Sequence, residues 1–349
     1  MRFTSITAVT AATLTTLAFA ASSGGTAQAA PSDVTTKAEI SAASTSVRFA
    51  TFNVRTARAD RGTHRSWLNR ANSVAREIIS RNPGIVSIQE LGPGRADGKK
   101  TKLNGAMRQT ESLDRALANN GGGKYKLTRY TAYVAPGTSH GTQGARILYD
   151  SNQYRLVSNC PETTGKSNYN GSCSMNMPIK GSDPKSDTRS AAYAEFEDRD
   201  TGKNFWVISV HLDTRHGGVT AERSNDNLRE SQVAAVYDRV AGAAGGEPIL
   251  FGGDLNSWRT KAGRHAPFDY LRGKGFVDGT TAPNRIDDRY PTVNHFKTTL
   301  KANAPGRQVA LDVVMARGAD RFTKYENVMK VSDSSRPSDH NLVYADLVI

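Results

Sequence analysis

The sequence predicts a fold of the α+β class, in which two β-sheets pack face to face and helices lie outside them. The chain has many short segments of strand character and few helical segments between them, which favours this arrangement. A single doubly wound parallel sheet is disfavoured, because it would place a helix after nearly every strand. Polar side chains also recur where the predicted strands end, and loops that a rigid sheet positions commonly carry chemistry.

The elements follow from residue spacing and turn signals. Val47–Asn53 alternates and is rich in β-formers, which predicts a strand. Trp67–Arg81 has apolar residues at helical spacing and runs into Asn82-Pro83-Gly84, which ends a helix. The remaining predicted elements are strand Ile85–Gln89, helix Gly105–Asn119, strands Lys126–Val134, Ala145–Tyr149, Arg155–Ser158, Ala191–Glu197 and Phe205–His211, helix Ala221–Ala244, and strands Pro248–Gly253, Ala310–Ala316 and Leu342–Val348.

The N-terminal segment differs in character from the rest. Arg2 precedes an apolar or small-residue stretch, Ile6–Ala21, and Ala27-Gln28-Ala29 is typical of a cleavage site, so residues 1–29 are a predicted signal peptide. A membrane anchor is the alternative, but the stretch is short for a spanning helix. Residues 30–46 are a predicted flexible leader and residues 47–349 a single domain. We therefore expect a secreted, extracellular protein.

Charge and cysteine usage narrow the class further. The net charge of +13 falls by one when Arg2 is removed with the signal peptide, and such a chain attracts polyanions. Nucleic acid, anionic lipid headgroups and cell-wall polymers are all anionic partners that this charge would attract. The alternative is that the charge only keeps the protein soluble. Cys160 and Cys173 are the two cysteines, and in an exported chain they favour a disulfide over two free thiols.

The polar residues at strand ends match the demands of phosphodiester hydrolysis. That reaction needs oxygen ligands for a hard cation, a group that orients or deprotonates water, and stabilisation of the leaving oxygen. The candidates are the carboxylates of Glu90, Asp254, Asp312 and Asp339, the amides of Asn53 and Asn256, and the imidazoles of His211 and His340. Taken singly, each has a structural explanation such as a turn amide, an ion pair or a core histidine.

Eight short segments around these residues resemble, in chain order, the motifs of one superfamily. They are Thr51–Thr56, Ile88–Glu90, Gly144–Tyr149, Arg189, Val210–Leu212, Gly253–Ser257, Leu311–Val314 and Ser338–His340. The superfamily is endonuclease/exonuclease/phosphatase, also called deoxyribonuclease I-like. The resemblance implies an α/β (α+β) four-layer sandwich of two mixed sheets flanked by helices, and a metal-dependent phosphoesterase.

The resemblance also implies a role for each residue. The implied metal ligands are Asn53, Glu90 and Asp339, holding Mg²⁺ (or Mn²⁺ or Ca²⁺). The implied catalytic residues are Asp254 and Asn256, which orient the water or the phosphate, Asp312, which fixes the tautomer of His340, and His211 and His340, which flank the phosphate. The implied phosphate contacts are Arg55 and Arg189, because a guanidinium matches phosphate oxygens.

Three positions depart from the deoxyribonuclease I pattern. Gln143 stands where a glutamate supports the first histidine, Leu91-Gly92 stands where a DNA-contacting arginine is expected, and Asn341 replaces a proline or apolar residue. These departures weaken the assignment to deoxyribonuclease, not to the superfamily.

Basic residues cluster at Arg55–Arg65, Arg95–Lys102 and Lys124–Arg129. The resemblance implies that the first two clusters follow metal-site motifs and border the cleft, and solvated basic loops are the alternative. The leading expectation is therefore a monomeric secreted nuclease acting on extracellular DNA or RNA. One alternative is a secreted lipid or small-molecule phosphoesterase of sphingomyelinase type, although the three tryptophans are scattered and form no membrane-inserting hairpin. The other is a non-catalytic polyanion-binding protein.

Overall fold

The structure is a computed structural model and describes residues 44–92, 94–128, 144–160, 173–178, 189–215, 219–260, 265–304, 308–331 and 335–349. The predicted signal peptide, residues 30–43 of the predicted leader, Arg129, Gln143 and most of the predicted strand Lys126–Val134 lie outside these ranges. Within them, no helix combines the length and the hydropathy needed to cross a bilayer.

Strands dominate the described residues. In chain order the elements are β1 (Ser46–Asn53), α1 (Trp67–Arg81), β2 (Ile85–Gln89), α2 (Gln109–Asn119), β3 (Tyr125–Leu127), β4 (Arg146–Asp150), β5 (Tyr154–Leu156), β6 (Ser174–Asn176), β7 (Ser190–Asp198), β8 (Asn204–His211), α3 (Val219–Ala244), β9 (Ile249–Asp254), α4 (Ala266–Gly273), β10 (Val277–Asp278), β11 (Asn284–Ile286), β12 (Asp312–Arg317), β13 (Arg321–Asn327) and β14 (Val343–Val348).

The strands form two mixed sheets. The first has the order β11-β13-β14-β1-β2-β4-β3, and the second has the order β10-β12-β9-β8-β7-β5, with β6 also paired to β7. The pairs β1–β2 and β8–β9 are parallel, whereas β1–β14 and β9–β12 are antiparallel. Parallel neighbours end at the same edge of a sheet, so residues following β1, β2, β8 and β9 are brought to two facing edges.

Three apolar clusters join four layers. Successive strand residues face opposite sides of a sheet, and accordingly Phe49 lies in the cluster between the sheets while Phe52 lies in the cluster formed with α1 and α2. On the second sheet, Val207 belongs to the cluster between the sheets and Ile208 to the cluster formed with α3 and α4. The predicted four-layer sandwich is confirmed.

A buried polar contact joins the two sheets below the strand ends. The Ser87 hydroxyl lies 2.6 Å from the Ser209 hydroxyl and 2.8 Å from the Gly252 carbonyl oxygen, and Gln89 Nε2 donates to Ser87 Oγ at 2.9 Å. A Cβ at Gly252 would lie 2.7 Å from Phe49 Cζ and 2.8 Å from Ser87 Cβ. The absence of a side chain at Gly252 therefore lets the sheets approach closely here.

Helix α2 begins four residues later than the predicted helix Gly105–Asn119. The segment before it folds back as a bridge, in which Ala96 N donates to the Met107 oxygen at 2.9 Å and Gln109 N to the Gly94 oxygen at 2.8 Å. Glu111 then accepts from the Arg108 backbone N–H at 2.8 Å, a capping contact that fixes the helix start.

The predicted disulfide is present. Cys160 and Cys173 are bonded with their Cα atoms 5.3 Å apart. Cys173 lies in the cluster between the sheets, immediately before β6, and its carbonyl accepts from Tyr193 N at 3.2 Å. The bond therefore fastens β6 to the outer part of the second sheet.

Candidate active site

Asn53 joins the facing ends of the two sheets. It is fully buried at the end of β1, and its Nδ2 donates to Glu90 Oε1 at 3.2 Å and to Asp254 Oδ2 at 3.1 Å. Glu90 follows β2 in the first sheet, whereas Asp254 ends β9 in the second. Three of the predicted site residues are thus brought into direct contact across the interface between the sheets.

A second set of contacts surrounds Asp254. His340 Nδ1 lies 2.9 Å from Asp312 Oδ2 and 3.2 Å from Asp312 Oδ1. Asp254 Oδ2 lies 3.5 Å from His211 Nε2 and 3.8 Å from His340 Nε2. The two imidazoles therefore flank one carboxylate, and a second carboxylate orients one of them, as the sequence predicts for Asp312 and His340.

The pKa values of Asp254 and His340 are both raised in this cluster, for different reasons. Burial, reinforced by the negative charge of Asp312, raises the pKa of Asp254 to about 6. Burial alone would lower the pKa of His340, but the charge and hydrogen bond of Asp312, with the charges of Asp254 and Asp339, raise it to about 10. The cluster thus favours a protonated His340 beside a carboxyl group that can take up a proton near neutrality.

The donor atoms fit a hard divalent cation. Glu90 accepts one hydrogen bond at each oxygen, from Asn53 and from Thr56 N (2.8 Å to Oε2), which leaves lone pairs for an ion. Asp254, Asp312 and His340 also have candidate ligand atoms within 4.8 Å of one another, all buried, but His340 can bind an ion only in its neutral form. Asn53 Oδ1 accepts from Arg55 N at 3.0 Å and, like each Glu90 oxygen, keeps one lone pair for an ion, while its Nδ2 positions Glu90 and Asp254.

Three residues that follow these strand ends have a left-handed backbone conformation. Arg55, Glu90 and Asn256 have positive φ values of 57°, 60° and 50°. Such conformations cost of order 1–3 kcal/mol each in non-glycine residues and collect at functional sites. At Asn256 the cost is offset locally, because its N–H donates to Asp254 Oδ1 at 2.9 Å and its Nδ2 to the Leu212 oxygen at 3.0 Å.

The two predicted phosphate contacts have different surroundings. The guanidinium of Arg55 pairs with Asp339 and with Asp60, so it neutralises one predicted metal ligand. Arg189 is buried, and its Nη2 donates to Thr214 Oγ1 at 3.3 Å, three residues beyond His211. Arg189 therefore lies next to the loop that leaves β8.

Arg70 is a site residue that the sequence interpretation missed. It is buried on α1, and Nη1 donates to the Val54 oxygen at 3.0 Å and to the Pro337 oxygen at 2.8 Å, while Nη2 reaches the Arg55 oxygen at 3.2 Å. It therefore ties the loop after Asn53 to the loop that carries Asp339. Its position on the apolar face of a helix was the available signal, since a lone charge there needs partners.

Asn341 is the second missed positioning residue. Its Nδ2 donates to Asn327 Oδ1 at 2.8 Å, and its Oδ1 accepts from Asn294 Nδ2 at 2.9 Å and from Arg336 Nη1 at 3.2 Å. Its backbone N–H donates to the Thr292 oxygen at 2.8 Å. A buried amide network thus supports the loop next to His340, which explains why a polar residue is tolerated here.

The fold and this site together define a metal-dependent phosphoric ester hydrolase. The chain belongs to the Endonuclease/Exonuclease/phosphatase family, since the model of that family matches residues 50–340.

Solved structures share the fold at low sequence identity. An endonuclease/exonuclease/phosphatase family protein from Bacteroides thetaiotaomicron is 17% identical and has a TM-score of 0.62, covering 88% of this chain and 97% of its own. A mannosyl-6-phosphatase from Bacteroides thetaiotaomicron VPI-5482 is 18% identical with a TM-score of 0.59, covering 87% and 100%. The human nocturnin catalytic domain with bound sulfate is 16% identical with a TM-score of 0.54, covering 86% and 93%. No curated protein matches the chain.

Proposed function

We propose that this enzyme is a secreted, Mg²⁺-dependent nuclease that hydrolyses extracellular DNA or RNA. One observation carries the proposal: two basic loops lie against each other beside the candidate active site. The first basic loop, residues 54–66, follows Asn53, and the second basic loop, residues 94–108, follows Glu90. Both therefore start from residues that meet at the junction of the sheets.

Gln109 joins the two basic loops. Its Oε1 accepts from Ala57 N at 3.1 Å and from Gly92 N at 3.2 Å, and its Nε2 donates to the Arg55 oxygen at 3.2 Å. A Cβ at Gly98 would lie 2.2 Å from the Ala57 oxygen, so the loops are in contact. Several cationic side chains of the two loops are exposed, namely Arg61, Arg65, Lys99, Lys100 and Lys102. An anionic polymer laid across the site would meet these charges.

The buried cluster supplies the proton chemistry of the proposal. A bound Mg²⁺ would polarise the phosphoryl oxygens and neutralise their developing charge. Asp254, flanked by both imidazoles, is placed to orient or deprotonate a water. His340, held protonated by Asp312, is placed to stabilise the leaving oxygen or donate a proton to it.

The disulfide and the predicted signal peptide agree with export. A separate observation favours an extracellular nucleic acid over a membrane lipid. Among the described residues, the exposed large apolar side chains are Leu68, Val157, Val277 and Ile286, which lie on separate elements. Lipid phosphodiesterases need an apolar insertion element, and these isolated side chains do not form one.

The test is a substrate panel with matched variants. Purified mature protein should hydrolyse plasmid DNA or RNA with Mg²⁺, and should not hydrolyse it in excess chelator. Turnover of sphingomyelin or of a sugar phosphate with none of nucleic acid would refute the nuclease assignment, whereas full activity in chelator would refute the metal requirement.

Glu90→Gln should raise the Mg²⁺ concentration that gives half-maximal activity. The increase should exceed the roughly 10–100-fold loss of metal affinity that is typical when a residue behind a metal ligand is replaced. The carboxylate oxygen is a ligand and the amide is a weaker one. Glu111→Gln is the matched control, because Glu111 caps α2 and its carboxylate is exposed. Equal Mg²⁺ dependence of the two variants would argue against Glu90 as a ligand.

A further inference from the structure

One face of helix α3 lies against the loop that leaves β8. Asp226, Arg229 and Gln232 are spaced three residues apart, which places their side chains on one side of the helix. All three are buried, although they carry charged or amide groups. Buried polar side chains are nearly always hydrogen-bonded, so the partners of this face show which parts of the chain it holds.

Gln232 bridges two segments that are far apart in the chain. Its Oε1 accepts from Asp213 N at 3.0 Å, and its Nε2 donates to the Pro178 oxygen at 2.9 Å. Asp213 lies two residues beyond the end of β8, and Pro178 lies two residues beyond the end of β6. The amide of Gln232 therefore connects the loop after β8 to the extension of β6.

Arg189 is bonded to the same two segments. On the β8 side, Thr214 Oγ1 accepts from Arg189 Nη2 at 3.3 Å. On the β6 side, Met177 donates its N–H to the Arg189 oxygen at 2.7 Å. Thr214 and Met177 are the direct chain neighbours of the two residues that Gln232 bonds. Gln232 thus holds both the loop that contacts the Arg189 guanidinium and the segment that contacts the Arg189 backbone.

Arg229 fastens the loop after β8 through its backbone carbonyls. The Arg229 side chain is fully buried, its Nε donates to the Asp213 oxygen at 2.8 Å, and its Nη2 donates to the Arg215 oxygen. Its Nη1 lies 3.4 Å from Asp226 Oδ1, which also accepts from Ser257 Oγ in the loop after β9. The same face of α3 therefore joins the loops that follow the two parallel strands of the active site.

We infer that Gln232 is a positioning residue that acts on the substrate through Arg189, while Arg229 fixes the loop between them. A guanidinium binds phosphate oxygens through a planar fork, so its orientation decides whether both bonds form. The inference rests on the predicted role of Arg189 as a phosphate contact and on phosphoric ester hydrolysis. It does not require nucleic acid as the substrate.

The test is a double-mutant cycle of Gln232→Met and Arg189→Gln, assayed with Mg²⁺ on a short DNA duplex and on bis(p-nitrophenyl) phosphate. Methionine keeps the length of the side chain and removes both amide bonds. Gln232→Met should lower kcat/KM about tenfold, mainly by raising KM, and should change it little further in the Arg189→Gln background, because residues in one network are not additive. Equal losses in both backgrounds would overturn the inference.

Val236→Ala is the matched control for a loss of stability alone. Val236 is buried on the same helix and packs in the apolar cluster formed with α3 and α4. Its truncation should lower the midpoint of urea unfolding and leave KM unchanged at a temperature where all variants are folded. If Gln232→Met lowers the midpoint in the same way and leaves KM unchanged, Gln232 is only structural and the inference is wrong.

A second readout requires neither turnover nor a folded Arg189→Gln variant. In ¹⁵N-labelled protein, the Arg189 Nε–H signal should shift or broaden in Gln232→Met and stay in place in Val236→Ala. An unchanged signal in Gln232→Met would also overturn the inference. If the unmodified protein hydrolyses neither substrate, the proposed function fails, and this signal still decides whether Gln232 positions Arg189.

Discussion

At the scale of single residues, the site separates two proton-binding groups by their surroundings. Burial near another carboxylate raises the pKa of Asp254 to about 6, so it can exchange a proton near neutrality, whereas Asp312, 2.9 Å from His340, helps to raise the pKa of His340 to about 10, so its charged form is favoured. Pairs of groups whose surroundings set their protonation differently are typical of acid–base sites. Asp312 therefore acts by orienting His340 and holding its proton, and this role requires no contact with the substrate.

Asp312→Asn should reduce kcat by on the order of 10²-fold or more, with a smaller change in KM. Removing the negative charge lowers the pKa of His340 from about 10 toward its ordinary value, so the limb of the pH–rate profile that reports loss of its proton should move to lower pH. Asp346→Asn, which removes a carboxylate paired with Arg48 far from the site, should leave the profile unchanged. An unaltered profile in Asp312→Asn would exclude this role.

The motif residues could be predicted from sequence because short strings such as Gly253–Ser257 and Ser338–His340 are local. Arg70 and Asn341 could not, because their function comes from backbone carbonyls and amides far apart in the chain, such as Pro337 and Asn294. The pairing of Arg55 with Asp339 was likewise invisible, since 284 positions separate them.

At the scale of elements, the position of the site depends on how closely the two sheets approach. Strands of eight residues rich in aromatic and β-branched side chains, such as β1 and β8, could be predicted nearly to the residue. Short or irregular strands could not: β6 and β11 have three residues each, and β13 has a register shift between Phe322 and Lys324 that interrupts alternation. Helix α4 is also missed, because eight residues are too few to establish a helical period.

Gly252→Ala should lower the free energy of unfolding by about 1–3 kcal/mol, as overpacking of a core does. The added methyl would have to displace Phe49 or Ser87, both of which face the other sheet. Gly242→Ala is the matched control, because Gly242 lies in α3 with nothing within 4 Å of an added Cβ. That control should be stabilised by about 0.5–1 kcal/mol. Urea unfolding measures both, and equal stability of the two variants would contradict the close approach of the sheets.

Replacing both cysteines by alanine should lower the free energy of unfolding by about 3 kcal/mol, because the bridge closes a loop of 13 positions. The effect should extend to substrate binding. Met177, just after β6, donates its N–H to the Arg189 oxygen at 2.7 Å, so loosening β6 disturbs the segment that positions Arg189. KM should therefore rise more than kcat falls. Two freely alkylated thiols in the native protein, detected by mass spectrometry, would remove the basis of this prediction.

At the scale of the whole molecule, the basic clusters are not equivalent. The first and second basic loops lie beside the active site, but the third cluster begins at the opposite end of the first sheet. There Lys124 pairs with Asp150 at 2.7 Å, and Tyr125 lies opposite Asp150, at the end of β4 remote from Glu90. Net charge alone could not distinguish these clusters, because the sequence does not say which strand end each loop adjoins.

The different placement of the clusters predicts different salt dependences for two variants with the same net charge. For duplex DNA each neutralised phosphate contributes about 0.9 to the negative slope of log K against log salt. Lys99→Gln/Lys100→Gln removes two exposed charges of the second basic loop and should reduce the slope by up to about 1.8. Lys126→Gln/Arg321→Gln removes two exposed charges at the remote end and should leave the slope close to that of the unmodified protein.

Fluorescence anisotropy of a labelled duplex, between about 50 and 200 mM salt and in chelator to prevent cleavage, measures both slopes. Equal reductions in the two variants would mean that binding responds to total charge and not to a surface beside the active site. A slope near zero in the unmodified protein would instead favour a small phosphoester as the substrate. We expect a large change in slope for the second basic loop and a small one for the remote end. That result requires the polymer to lie across the junction formed by Asn53, Glu90 and Asp254.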